Sequence, residues 1–136
     1  MPYSTLEHTA DTGLEANAAS LPRLIEELSL GMFELMARVD PCPEAHRVET
    51  TIEASSSADL VVDALSELLY LSETEGLHLC RFEVTSTGDF AVEIQTTGVP
   101  TEDVELTGPP IKAVTYHQLR VSETDEGWSA IVYFDV

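Results

Sequence analysis

The sequence predicts an α+β domain, a two-layer sandwich in which two helices pack on one face of a mainly antiparallel sheet of about seven strands. Three observations carry that prediction. Two long stretches repeat apolar residues at three-and-four spacing, several short runs lie between turn residues, and neither a regular βαβ alternation nor an internal repeat occurs. At 136 residues the chain suits one domain, 1–136, and an apolar fraction of 43 % is enough for a core.

The elements follow in order. Tyr3–Thr9 and Gly13–Ala18 suit two strands around the turn Ala10-Asp11-Thr12-Gly13. Ser20 precedes Leu21 and Pro22, an N-cap with proline in the first turn. Leu21, Leu24, Ile25, Leu28, Met32, Phe33, Leu35 and Met36 then trace a helical stripe, with Glu26, Glu27 and Glu34 expected on the wet side and Gly31 expected at a close approach. Asp40-Pro41-Cys42-Pro43 ends this helix, and His46–Ser55 reads as a strand with Val48, Thr50, Ile52 and Ala54 on one face. Ser57 is the expected cap of a second helix, with a stripe from Leu60 to Leu71 and Gly76 at its end. Leu77–Ser86 with Phe90–Thr96, and Ile111–Val121 with Trp128–Phe134, read as two hairpins. Between them Gly98–Pro110 is acidic and aperiodic, the expected mobile loop.

Charge narrows the function. Six Lys and Arg against 25 Asp and Glu give a net charge of −19, which argues against a surface that neutralises phosphates. Five of the six basic residues are arginine, and Lys112 is the one lysine. An acidic surface nearly stripped of lysine is halophile-type: concentrated salt screens its self-repulsion. No run is long enough for a bilayer span, and the first residues lack the pattern of a signal peptide, so the expected location is the cytoplasm. Cys42 and Cys80 have no metal-motif spacing and are expected as free thiols.

His8, Asp11, Lys112, His117 and Asp135 stand out as polar residues in turns or at a strand end beside apolar runs. Asp135 precedes Val136, so its carboxylate lies close to the Val136 α-carboxylate, and two anions held together repel unless a cation or proton intervenes. If Asp11 folds against them, three carboxylates converge, an all-oxygen set suited to Ca²⁺, Mg²⁺ or Mn²⁺ rather than zinc. No nucleophile elbow, P-loop or dinucleotide fingerprint occurs. His8 and His117 remain weaker acid–base candidates.

Five segments in collinear order, His8-Thr9-Ala10-Asp11-Thr12-Gly13, Leu30–Met36, Leu65–Leu71, Ile111–His117 and Phe134-Asp135-Val136, resemble the archease family across the chain. That resemblance implies a non-catalytic accessory protein that stimulates an RtcB-type RNA ligase in tRNA splicing and RNA repair. It implies promotion of ligase guanylylation and multiple turnover, with RNA and GTP met only through the ligase. It also implies a divalent-metal site at Asp11, Asp135 and Val136, with calcium favoured and magnesium or manganese as alternatives, and a required lysine at Lys112. The rival readings are a metal-assisted hydrolase using His8, Asp11 and Asp135, and a chaperone-like binding module.

Overall fold

The structure, a computed structural model, describes residues 2–7 and 12–136, with Glu7 described by its backbone alone. Eight strands and two helices run in the order β1 (Tyr3–Glu7), β2 (Thr12–Ala18), α1 (Leu21–Met36), β3 (Arg47–Glu53), α2 (Ser57–Glu75), β4 (Leu77–Gly88), β5 (Ala91–Pro100), β6 (Ala113–Val114), β7 (Arg120–Thr124) and β8 (Gly127–Asp135). The α+β class holds. The strands form two antiparallel sheets rather than one: β1-β2-β8-β6, with β7 also paired to β8, and β3-β5-β4.

Both helices form where their caps and apolar spacing direct. The Ser20 hydroxyl accepts from the Arg23 amide at 3.3 Å, and α1 buries Leu24, Ile25, Leu28, Met32 and Phe33. Gly31 does lie at a close approach, since a Cβ there would sit 2.9 Å from a Leu14 methyl. Glu26 departs from its expected place in solvent. Its carboxylate accepts the Val84 amide at 2.8 Å, covering an edge position of β4. The cap of α2 is Ser56, one residue before the expected Ser57, because its hydroxyl accepts from the Asp59 amide at 3.1 Å. Gly76 ends that helix at φ 65°.

One core joins the two sheets. Leu14, Val132 and Phe134 from the larger sheet and Leu79, Ile94 and Val92 from the smaller are buried in the same cluster as both helices. His78, on β4, is buried within it. Its Nε2 lies 2.8 Å from the Ala37 carbonyl, so Nε2–H donates, and burial lowers its pKa below the ordinary value.

Three expectations are corrected here. Cys42 and Cys80 are not free thiols but a disulfide: the loop after α1 folds back on β4, where the Arg81 guanidinium donates to the Cys42 carbonyl at 3.1 Å, and the two Cα atoms lie 5.7 Å apart. Gly98–Pro100 belong to β5, not to a loop, and Thr101–Asp103 form a 3-10 turn. Ile111–Val121 is not one strand. After β6 the chain leaves β8 in a turn closed by the Leu119 amide on the Tyr116 carbonyl at 3.2 Å, with Gln118 at φ 53°, and rejoins as β7.

Candidate functional site

β8 organises the site because it is paired on both sides. On one side Thr12 lies opposite Phe134, so the chain directly following Asp11 runs beside the end of β8. On the other, Ala113 lies opposite Asp135, and the Lys112 amide donates to the Asp135 carbonyl at 2.8 Å. Lys112, Asp135 and Val136 therefore come together at one strand end, all three exposed. His8 and Asp11 lie outside the described residues.

Local chemistry fixes Lys112. The preceding segment is tied to the end of α1: the Thr107 and Gly108 amides donate to the Met36 carbonyl at 2.8 and 3.1 Å, and the Ile111 amide points at Met36 Sδ at 3.4 Å. Those bonds satisfy a carbonyl that the helix itself leaves unpaired. Ile111 is buried, so the exposed lysine is held between an apolar anchor and the backbone of β8. Its side chain lines a cavity of about 810 Å³ with Met36, Leu69, Leu106 and Val114.

Tyr133 links the remaining pieces. Its ring fills the space a side chain at position 13 would need, since a Gly13 Cβ would meet it at 2.7 Å. His117 meets the same ring edge-on, at 6.4 Å between centroids. Glycine after the motif threonine thus lets β2 close on β8, and His117 belongs to the same end of the sheet. The neighbouring Tyr116 hydroxyl donates to Asp59 at 2.8 Å, and that bond raises its pKa. The same contact ties this turn to the first turn of α2.

Sequence reasoning missed His78, which lines the cavity near Lys112 and anchors the end of α1 to β4. Its signal was a histidine inside the apolar run Leu77-His78-Leu79, a position that requires a buried partner. Among the described residues no three His, Cys, Asp or Glu side chains converge as metal ligands. No helix among them is long and apolar enough to cross a membrane.

Comparison with known proteins places this geometry in a family. Residues 3–136 match the archease protein family (MTH1598/TM1083). The chain is similar to a protein archease of Methanosarcina barkeri, 32 % identical over 98 % of this chain and 95 % of the relative. It is likewise similar to a protein archease of Methanopyrus kandleri, 29 % identical over the whole of both. The solution structure of Methanobacterium thermoautotrophicum protein 1598 superimposes with a TM-score of 0.79 at 26 % identity, covering 99 % of each chain. A Thermotoga maritima crystal structure, described as an archease and possible chaperone, shares the fold with a TM-score of 0.70 at 22 % identity, over 98 % of this chain and 96 % of that one. With the family matched along nearly all of its length, the chain belongs to the archease family.

Proposed function

We propose that the chain is a cytoplasmic, non-catalytic activator of an RtcB-type RNA ligase, promoting guanylylation of the ligase and its multiple turnover. Membership of the archease family supports this reading. The observation that carries it is the 2.8 Å hydrogen bond from the Lys112 amide to the Asp135 carbonyl, which puts the chain's one lysine beside its terminal carboxylates. A compact ammonium suits a phosphate or nucleotide contact, and arginine would not reproduce its point charge. RNA and GTP reach the protein only through the ligase.

The same end of the sheet suits a divalent cation. Asp135 and Val136 supply adjacent, exposed oxygen donors, which fit a hard ion, and Asp11 is the third ligand in this reading. Calcium is favoured, with magnesium or manganese as alternatives. A bound ion would neutralise the converging carboxylates. The register of Thr12 on Phe134 supports bringing the N-terminal turn to the same place.

The test is single-turnover guanylylation of the purified partner ligase, with and without this protein, in molar KCl to suit its acidic surface. The intact protein should stimulate. Lys112→Arg should reduce stimulation about tenfold, the cost of one charged hydrogen bond, with no change in thermal melting. Asp11→Ala and Asp135→Asn should lower melting and stimulation together if the ion is structural, or stimulation alone if the ion serves the ligase. No stimulation by the intact protein would refute the assignment.

A further inference from the structure

The outward face of α2 has no role in the fold. Asp63, Ser66, Glu67, Tyr70 and Glu73 recur at helical spacing on that face, while Leu65 and Leu68 on the other are fully buried and already anchor the helix. Tyr70 is 60 % exposed, an unusual position for a large aromatic ring on a helix that needs nothing more to stay packed.

Two cavities meet at this ring, since Ser66 and Tyr70 line both. One, about 450 Å³, is walled by the carboxylates of Glu53, Asp63 and Glu67. The other, about 810 Å³, is the cavity of Lys112, walled by Leu69, Leu106 and Val114. Tyr70 is thus the ridge between an acidic half and an apolar half of one continuous groove.

Exposed apolar residues concentrate near it. Among the described residues the large hydrophobic side chains left exposed are Tyr70, Phe90, Leu106, Tyr116 and Val136. Tyr70 and Leu106 line the groove, Tyr116 is bonded to Asp59 on α2, and Val136 follows the residue that holds the Lys112 amide. Only Phe90 lies away from this face and the strand end that continues it.

Charge selects the occupant. Arg23, Arg38 and Arg81 pair with Glu26, Glu27, Glu34, Asp40 and Glu44, and no basic side chain lines the acidic half. Its carboxylates do not converge as metal ligands. A polyanion such as RNA would be repelled by them. We infer that this groove docks a segment of the partner ligase in which Lys or Arg residues, seated among Glu53, Asp63 and Glu67, flank an apolar side chain seated beyond Tyr70. The inference rests on the proposed function and goes further, because it separates the surface that binds the ligase from the strand end that activates it.

The experiment titrates the full-length protein into the ligase guanylylation assay and reads the half-saturating concentration, with affinity checked by calorimetry. Tyr70→Ser and Asp63→Lys should each raise that concentration about tenfold, as truncation of an interface anchor does, and should melt like the wild type. Glu83→Lys, the same charge change on exposed β4 outside the groove, should behave as wild type. Half-saturation within twofold of wild type for both groove variants would overturn the inference, as would an equal loss in Glu83→Lys. A wild-type dimer that Tyr70→Ser dissolves in light scattering would also overturn it, because the occupant would then be a second copy. Absence of any stimulation by the wild type would bring down the proposed function and this groove together, whereas stimulation with unaltered variants would remove only the groove.

Discussion

Two hairpin regions of similar length make opposite use of their strands. β4 and β5 stay paired from Leu77 opposite Pro100 to Gly88 opposite Ala91, with Leu79, Phe82, Val84, Val92 and Ile94 turned into the core. Residues 111–124 pair with β8 through the two residues of β6, leave at Tyr116–Leu119, and return as β7. Continuous pairing spends alternate side chains on burial. The interrupted stretch keeps its backbone tied to β8, through the Thr115 amide on the Tyr133 carbonyl at 3.0 Å, yet leaves Lys112, Tyr116 and His117 exposed. Polar chemistry appears where the chain gives up a strand partner without losing its anchor.

This contrast can be broken or sharpened by experiment. The largest effect belongs to the packed region: Phe33→Ala, which removes a ring stacked on Phe82 and edge-on to His78, should cost about 3–5 kcal/mol in a denaturant melt. A loss as small as a surface change would deny that this half is the stability core. Reduction of Cys42–Cys80, a bridge spanning 38 residues, should cost at most about 4 kcal/mol by chain entropy and lower the melt by roughly 10 °C. Ligase stimulation below the lowered melt should be unaffected, and if it fell in step, the two regions would not be independent. The smallest effect is the protonation of His78. Because burial lowers its pKa in the folded chain, the unfolded chain binds the proton first as pH falls. That stability is therefore complete above its unfolded value near 6.5 and declines as pH drops below it. The melting temperature of His78→Gln should depend less on pH than wild type between about pH 7 and 5, a window set by histidine titration.

The sequence carried the helices because their signals are local: a capping serine, a stripe at helical spacing, a terminal glycine. The β4–β5 hairpin was legible for the same reason, as alternation around Thr87-Gly88-Asp89. The meeting of Lys112 with Asp135 and Val136 followed from resemblance and from charge at the chain end, and the register now supplies its geometry. What stayed hidden was tertiary. Nothing in a separation of 38 residues tells that Cys42 faces Cys80, because the match depends on a register shift between Leu79 and Arg81 and on a loop folding back over β4. Glu26 looked solvated because periodicity cannot show an exposed edge amide waiting for it. The break at Tyr116–Leu119 was masked by the flanking apolar residues Val114, Leu119 and Val121, which suit a strand on either side.

Met36 closes α1 and also receives the amides of Thr107, Gly108 and Ile111. The loop is therefore divided by a fixed post. Insertions or deletions before Thr107 would change only surface length, as exposed loops usually allow. After Thr107, a single added residue would move the lysine out of register with β8, so the five positions from Thr107 to Ile111 act as a ruler whose length the protein cannot vary.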